Sequence, residues 1–517
     1  MLLLCFVTTW SCSVFAQKLR PIQNTDKAQA YQQVRENANA ERLKVLAKQF
    51  DEEHRLEMQQ ALEIARRDSL PVWYMDKNGK IFVLSGLDDS GQLEYTETNN
   101  LNAARTTSTD DVWAGGSAGL SLSGSGMGIG LWEAGGIPLI SHQELVDRVF
   151  VASGQTNTVS DHATHVSGTL IGEGVVANAR GMANEAFIVA FDSGNDNSEM
   201  ANEAADGLLL SNHSYGTITG WYFDTDDDEW YWYGNTSVST TEDYRFGLYD
   251  SKARQWDVIA YNAPYFLAVK SAGNDRDDEY TGSHYVMQNG QWVLSSANRD
   301  RDGGADGYDC IPTYGTSKNI LTVGAIFDIP SGYQSPDDVD ISNFSGWGPT
   351  DDGRIKPDLV GNGVGLNSST SDSPTDYSSF SGTSMSAPNV SGSLLLLQEH
   401  SFNEFGVFMR SATLKALAIH TADEAGTSLG PDYRHGWGLL NTRKAAELIT
   451  TAADGVGAGI YEDVLTNGNT ISFDVNSDGT QPIRVTIAWT DPAATATGVT
   501  LNSTVRKLVN DLDLRVT

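Results

Sequence analysis

From Gly124 onward, short apolar runs alternate with stretches of helical pattern, and this alternation limits the fold more than any other feature of the sequence. Strand-length apolar runs separated by helices are typical of βαβ units, in which parallel strands form one sheet. We therefore predict an α/β fold with a parallel sheet and helices on both faces. The predicted strands are Met127–Trp132, Ala186–Phe191, Leu208–Asn212, Tyr265–Ser271 and Ile320–Ala325.

The N-terminal part of the chain has a different pattern. Residues Met1–Ala16 are apolar and end in small residues, which predicts a signal peptide and hence a secreted protein. A charged stretch, Lys27–Arg67, predicts helix in two pieces. Residues Pro71–Leu84 then predict a hairpin that turns at Asn78-Gly79.

A polar linker, Asn99–Asp111, separates this helical lead from the predicted sheet. In an exported chain, a separable charged lead followed by a linker indicates a pro-segment. We expect residues 17–111 to form either such a pro-segment or an N-terminal subdomain that is retained.

Composition excludes some partners. The formal net charge is −33, and the phosphates of nucleic acid need clustered Lys and Arg, so we predict no nucleic-acid partner. We also expect no membrane span, because no stretch beyond the signal is long and apolar enough. Of three cysteines, only Cys310 lies after the predicted signal, so no internal disulfide is expected. The sequence gives no indication of the oligomeric state.

Two further regions carry structural expectations. The insertion Thr217–Trp256, rich in Trp, Tyr and Asp, is predicted to be exposed, with Asp226–Glu229 as a solvated loop. After about Gly455 the pattern becomes all-β, with strands expected at Thr470–Val475 and Ile483–Trp489. We predict that residues 456–517 are an incomplete β-sandwich and that the native protein continues beyond Thr517.

Three segments carry candidate chemistry. Phe380–Pro388 predicts a glycine turn and then a helix that begins near Ser384. A hydroxyl there lies beside free backbone N–H groups, which suits either a nucleophile or an ordinary helix cap. His162 begins a second predicted helix, and Asn274 follows an apolar strand. Together they supply a nucleophile, a base and an amide donor at the sheet edge where ligands bind.

These motifs resemble those of the subtilisin-like serine peptidases (subtilases), and they occur in that family's order. The resemblance extends over about Gly124–Leu448, and we place the peptidase domain at residues 112–450. The matching segments are His162–Thr169, Ser271–Asn274, Phe344–Pro349, Gly353–Asp358, Gly382–Pro388 and Gly436–Asn441. In addition, Ile487–Pro492 and Asn510–Leu514 resemble the C-terminal β-sandwich of one branch of the family.

The resemblance implies a role for each residue. Ser384 would be the nucleophile, His162 the general base and acid, and Asn274 a donor to the oxyanion. His165 would be structural. The implied substrate-binding residues are Ser214, Tyr215, Gly216, Ser271, Ala272 and Gly273.

One position departs from the family pattern. The family's acid is an aspartate, whereas the matching segment Gly130–Gly136 contains Glu133. Either this glutamate replaces the aspartate or the protein is impaired. Asp161 is a less favoured replacement, since adjacent residues on a helix do not face each other.

A polar loop suggests a cation. Its oxygen-bearing side chains have nearly the spacing of a calcium loop, with glycine at the sixth position, although an ordinary glycine-rich loop is an equal alternative. The candidate Ca²⁺ ligands are Asn298, Asp300, Asp302, Asp306 and Asp309.

The sequence therefore predicts a secreted serine endopeptidase that acts on protein or peptide substrates through a Ser-His-Glu triad. The alternative is a catalytically inactive subtilase-fold protein that only binds other proteins.

Overall fold

The computed structural model describes residues 2–7, 17–18, 27–68, 73–75, 81–87, 93–96, 103–224, 227–455, 457–477, 479–480 and 482–516. The helices in these ranges are α1 (Lys27–Asn37), α2 (Ala40–Asp68), α3 (Asp161–Ile171), α4 (Asp196–Ala205), α5 (Ser251–Asn262), α6 (Thr383–Phe405), α7 (Ser411–Thr421) and α8 (Thr442–Asp454). The strands are β1 (Leu2–Val7), β2 (Gln17–Lys18), β3 (Trp73–Met75), β4 (Ile81–Leu87), β5 (Leu93–Thr96), β6 (Gly128–Glu133), β7 (Val149–Val151), β8 (Phe187–Asp192), β9 (Leu210–His213), β10 (Trp221–Asp224), β11 (Glu229–Trp232), β12 (Leu267–Ser271), β13 (His284–Gln288), β14 (Gln291–Ser295), β15 (Leu321–Ile326), β16 (Leu359–Asn362), β17 (Leu366–Ser369), β18 (Tyr377–Phe380), β19 (Gly459–Asp463) and β20 (Val485–Thr490).

The centre of the fold is a seven-stranded sheet in the order β16-β15-β12-β9-β6-β8-β7. All of its neighbouring strands are parallel. The five strands predicted from the sequence are β6, β8, β9, β12 and β15, displaced by at most two residues. The predicted α/β class is confirmed.

Alternate residues of the strands supply the cores on the two faces of this sheet. In β12, Leu267 and Val269 belong to the cluster that contains the apolar residues of α3, α6 and α7. Ala268 belongs to the opposite cluster, with Met200 of α4 and Trp256 of α5. Because successive side chains of a strand point to opposite faces, β12 is buried on both sides, and its first three residues are all apolar.

The N-terminal helices form as predicted, and α2 packs against α4 and α5, whereas Ala30 and Val34 of α1 belong to the cluster on the other face of the sheet. Leu43, Leu46 and Phe50 of α2 are buried in the same cluster as Met200 and Trp256. The predicted hairpin is also present, since β3 and β4 pair antiparallel. Its turn at Asn78-Gly79 lies outside the described residues.

Part of the predicted signal peptide is described as β1, which lies between β19 and β20 in a small separate sheet. The other residues of that segment, 1 and 8–16, lie outside the described ranges. The signal peptide stays a prediction.

Residues 103–111 are packed into the main sheet domain. The hydroxyl of Thr109 bonds Ser393 Oγ of α6 at 2.7 Å and Thr442 Oγ1 of α8 at 3.0 Å. Asn389 Nδ2 donates to Thr107 Oγ1 at 2.9 Å. Residues 103–111, which the sequence analysis placed before the peptidase domain, therefore pack against helices of that domain.

The aromatic insertion is largely buried, contrary to the prediction. β10 and β11 join β13 and β14 in a second sheet. Trp221, Trp232 and Val286 form its small core. The amide of Trp221 donates to the carboxylate of Asp302 at 2.7 Å, which ties the sheet to a distant loop. The prediction was wrong because the mixture of aromatic and acidic residues was taken as a sign of a surface loop. These aromatic side chains instead bury one another in a small core of their own.

The described C-terminal region contains two strands, β19 and β20, of which only one was predicted. β20 corresponds to the predicted strand at Ile483–Trp489, whereas residues 470–475 contain no strand. The β-sandwich over 456–517 thus stays a prediction.

Backbone amides fix the last part of the chain to carboxylates. Ser503 N donates to Asp351 Oδ2 at 3.1 Å, and Lys507 N donates to Asp352 Oδ2 at 2.9 Å. The amides of residues 509 and 510 donate to the two oxygens of Asp491, each at 2.8 Å. These contacts hold the segment through its backbone.

Among the described helices, none combines the length and apolarity needed to cross a membrane.

We expect Thr109→Val to lower the free energy of unfolding by about 1–2 kcal/mol, because it removes a buried hydroxyl shared by α6 and α8. Thr241→Val is the matched control, since that threonine is exposed. Denaturant unfolding of the two variants measures the difference. Equal midpoints would show that residues 103–111 do not stabilise the sheet domain.

Candidate active site

The carboxyl edge of the central sheet gathers the residues singled out from the sequence. Glu133 is the last residue of β6, and Asn274 follows β12, with β9 lying between these strands. His162 lies in the first turn of α3 and Ser384 in the first turn of α6. Ligands of open parallel sheets bind at this edge, because loops and helix N-termini meet there.

Glu133 and His162 form a buried pair. Glu133 Oε2 lies 2.5 Å from His162 Nδ1, and the two residues are 0% and 4% exposed. Within the described part of the chain, His162 Nε2 has no hydrogen-bonding partner. The carboxylate therefore orients the imidazole through Nδ1 and leaves Nε2 available for another group.

Asp161, the alternative acid, has a different partner. Its Oδ1 accepts from the amide of Ser371 at 2.6 Å and from the hydroxyl of Ser371 at 2.8 Å. The carboxylate thus fastens the start of α3 to the neighbouring loop. Glu133, and not Asp161, contacts His162 in this structure.

Ser384 is buried at the start of α6. Its hydroxyl donates to the carbonyl oxygen of Ser214 at 2.8 Å, and Ser214 Oγ donates to the carbonyl oxygen of Ser384 at 2.6 Å. These reciprocal bonds fix the helix N-terminus against the residues that follow β9. The serine is a helix-start residue as expected, but its hydroxyl is not bonded to His162.

Asn274 is oriented by the residue before Ser384. Its Oδ1 accepts from the amide and the hydroxyl of Thr383, both at 2.8 Å. The oxygen end of the carboxamide is thus occupied. The NH₂ end is the part that can donate to a bound oxyanion.

The predicted substrate-binding residues lie on both sides of this centre. Ser214, Tyr215, Ser271 and Ala272 are buried, whereas Gly216 and Gly273 are partly exposed. The Tyr215 hydroxyl donates inward to Asp196 at 2.7 Å. Backbone atoms of these segments are therefore better placed to meet a ligand than their side chains are.

Gly273 requires glycine. Its φ is +100°, and a Cβ there would lie 2.9 Å from Pro312 Cδ. A side chain would be strained by the backbone and would also contact the proline ring.

His165 has structural contacts. Its Nε2 lies 3.2 Å from the carbonyl oxygen of Ser378, and its ring stacks on Phe380 with a centroid distance of 4.7 Å. Burial, with a smaller contribution from His162, holds the pKa of His165 well below its usual value. It is therefore a neutral packing residue, in agreement with its predicted role.

Lys270 is a charged residue of the site that the sequence analysis missed. It is 1% exposed, and its Nζ donates to the carbonyl oxygen and the hydroxyl of Ser271 at 2.9 and 2.8 Å. The available signal was a lysine inside an apolar run, Tyr265–Ser271, that itself predicted a buried strand.

The five candidate calcium ligands do not converge. Asn298, Asp300 and Asp306 are exposed, while Asp302 is buried against Trp221. Asp309 Oδ1 is buried without a partner among the described residues, and Asp309 repels Asp351. No group of three or more His, Cys, Asp or Glu in the described ranges has an arrangement that could hold a metal ion. The donor set does not fit one ion, and calcium binding stays a prediction without support from this arrangement.

Comparison with known families gives one match. The model of the subtilase family (peptidase S8) matches residues 148–438, more than half of the chain. The matched range contains His162, Asn274 and Ser384, whereas Glu133 lies before it.

Several curated proteins are similar to this chain. The serine protease/ABC transporter B family protein tagA of Dictyostelium discoideum is 25% identical over 463 residues, which cover 72% of this chain and 25% of that protein. A C5a peptidase of Streptococcus pyogenes is 28% identical over 177 residues, which cover 32% of this chain and 14% of that protein. The chain therefore spans about a quarter or less of the length of these two relatives.

Among solved structures, the prenylagaramide maturation protease PagA is 16% identical with a TM-score of 0.42, covering 63% of this chain and 94% of that one. The self-cleaved protease domain of PatA is 18% identical with a TM-score of 0.42, covering 64% of this chain and 98% of that one.

The short Glu133–His162 bond predicts an imidazole Nδ1 proton far downfield in the NMR spectrum, because a proton held between a buried carboxylate and a ring nitrogen is strongly deshielded. Glu133→Gln should remove this resonance. Asp161→Asn is the control and should leave it in place. Loss of the resonance in the control alone would mean that Asp161 is the partner in solution.

Proposed function

The chain belongs to the subtilase family, and on that premise we propose that it is a secreted serine endopeptidase that cleaves protein or peptide substrates. The observation that carries the proposal is the buried bond between Glu133 and His162, at the sheet edge where Ser384 and Asn274 also lie. These four side chains supply an acid, a base, a nucleophile and an oxyanion donor.

In the proposed reaction, Ser384 Oγ attacks the carbonyl carbon of the scissile peptide bond. His162 Nε2 takes the hydroxyl proton and then delivers it to the leaving amine. The hydroxyl must first exchange its bond to the Ser214 carbonyl for one to Nε2. An acyl-enzyme forms on Ser384, and water attacks it with His162 again acting as the base.

Glu133 would take the part that an aspartate has in most of the family. It accepts the Nδ1 proton of His162, fixes the tautomer and stabilises the imidazolium. A glutamate carries one methylene more, and displacement of a catalytic group by about an ångström can cost about 10²-fold in rate. The 2.5 Å contact supports the view that the backbone of this site accommodates the longer side chain.

Asn274 and the N-terminus of α6 would bind the oxyanion. The bonds from Thr383 to Asn274 Oδ1 orient the carboxamide, so its NH₂ group can donate without reorganisation. Residues 214–216 would pair with an extended substrate, and residues 271–273 would line the pocket for the residue before the cut.

Export and maturation are part of the same proposal. The apolar Met1–Ala16 segment would direct secretion, and a cut before the packed residues 103–111 would separate α1 and α2 from the sheet domain covalently. The apolar contacts of α2 with α4 and α5 support continued association of that segment until it is displaced.

We expect Ser384→Ala to lower kcat/KM for a peptide substrate by about 10⁶-fold, because it removes the nucleophile. A fluorophosphonate probe should label the parent at Ser384 and fail to label the variant.

Ser386→Ala is the matched control for Ser384→Ala. It removes another buried hydroxyl of α6, which donates to the Gly324 carbonyl at 2.7 Å, and should cost stability without loss of labelling. A folded parent that neither labels nor cleaves casein would favour the inactive binding protein instead.

We expect Glu133→Gln to lower kcat/KM by as much as about 10⁴-fold, since it keeps the size of the side chain but loses the charge that stabilises the imidazolium. Glu133→Asp keeps the charge but has a shorter side chain, so its kcat/KM should lie between that of the parent and that of Glu133→Gln. Asp161→Asn should stay near the parent. Steady-state kinetics on one peptide decide the order, and a fully active Glu133→Gln variant would transfer the role to another acid.

A further inference from the structure

The ammonium of Lys270 lies at the edge of the sheet, between two segments of the site. Its two hydrogen bonds go to the carbonyl and hydroxyl oxygens of Ser271, and not to a carboxylate. A Cβ placed on Gly216 would lie 3.7 Å from Nζ, and the ring centroid of Tyr215 is 5.9 Å away. The cation therefore lies beside residues 214–216 as well as beside Ser271.

Hydrogen bonds and the backbone link between His213 and Ser214 join this ammonium to Ser384. Ser271 Oγ also donates to the carbonyl oxygen of His213 at 3.4 Å, and His213 directly precedes Ser214. Ser214 exchanges two hydrogen bonds with Ser384. The position of the Lys270 ammonium is thereby linked to the position of the catalytic hydroxyl.

The charge of Lys270 also acts on Glu133. β12, β9 and β6 are adjacent, and Lys270 is in register with His213 of β9, which is in register with Trp132, the residue before Glu133. The titratable groups that face the ammonium are Glu133 of β6, His213 and Tyr215 of the β9 segment, and Asp275 after β12. The carboxylates of Glu133 and Asp275 attract the cation, and the cation opposes protonation of His213.

Burial works against this charge. Burial lowers the pKa of Lys270 to about 7, although the carboxylates of Glu133 and Asp275 act to raise it. Lys356, an equally buried lysine of the same domain, instead bonds the carboxylate of Asp358 at 2.6 Å. A buried cation that contacts no carboxylate directly is costly, and an apolar side chain of similar length would avoid that cost.

We propose that Lys270 is a positioning residue of the active site, which fixes Ser271 against the 214–216 segment and supplies the positive charge that opposes proton uptake by the Glu133–His162 pair. This inference rests on the proposed peptidase function. The ammonium contacts neither the scissile bond nor His162, and it acts through Ser271, Ser214 and the electrostatic field at Glu133.

The test is the pH profile of kcat/KM for Lys270→Met. Loss of the cation removes a charge that disfavours the protonated pair, so the acid limb should move to higher pH. A displacement of about one pH unit lowers kcat/KM about tenfold on the acid side of the limb. Because the Lys270 pKa is depressed to about 7, the ammonium is present below that pH and lost above it. The ratio of parental to variant kcat/KM should therefore be largest at acid pH and should decrease above about pH 7.

Lys270→Gln is the second variant, since it keeps a hydrogen-bond donor without the charge. It should show the same displacement of the acid limb with a smaller loss at high pH. Lys356→Met is the matched control for removal of a buried lysine, and it should alter the melting temperature without moving the limb.

The outcomes separate the two proposals. An unmoved limb in both Lys270 variants, with the parent active, overturns the role of Lys270 and leaves the peptidase function intact. A uniform loss at all pH values that Lys356→Met reproduces means a merely structural lysine and also overturns it. A parent that neither cleaves casein nor labels with fluorophosphonate overturns the peptidase function and this inference with it.

Discussion

The alignment of parallel strand ends at one edge of the central sheet is the constraint on which this site depends. β6, β9 and β12 lie side by side, so the residues at their carboxyl ends are neighbours although the sequence separates them widely. The buried contact between Glu133 and His162 exists because β6 ends opposite the first turn of α3. A register shift of one residue in β6 would turn the carboxylate to the other face of the sheet.

The sequence predicted the elements whose pattern is local. Central strands that are buried on both faces produce continuous apolar runs, and β6, β8, β9, β12 and β15 were found within two residues of their bounds. The pairing of Glu133 with His162 was also predictable, since the two positions stand in motifs of known order. What could not be predicted depends on contacts between distant segments. The burial of the aromatic insertion required β13 and β14, and the orientation of Asn274 required Thr383.

The segment that was predicted to bind calcium shows the same limit in a different way. The spacing of its oxygens is a local property, but coordination depends on where those oxygens point after folding. The carboxylate of Asp302 accepts a hydrogen bond from the amide of Trp221 in the insertion sheet. One of its oxygens is therefore engaged by that sheet, and the five candidate ligands do not converge on one ion. Lys270 is the reverse case, because a lysine in an apolar run indicates burial, but its place beside residues 214–216 and near Glu133 depends on the pairing of β12 with β9 and of β9 with β6.

The docking of residues 503–510 has a consequence for how this region can vary. Asp351, Asp352 and Asp491 grip amide N–H groups, which every amino acid except proline provides. These bonds do not depend on which side chains the segment carries, and Lys507 is an exception because its buried side chain donates to the carbonyl oxygen of Thr495. Most substitutions there should leave these backbone hydrogen bonds in place. Replacement of one of the three aspartates, or a proline at one of the donating positions, would remove them. A segment held in this way can change its exposed side chains and still keep its attachment to these aspartates.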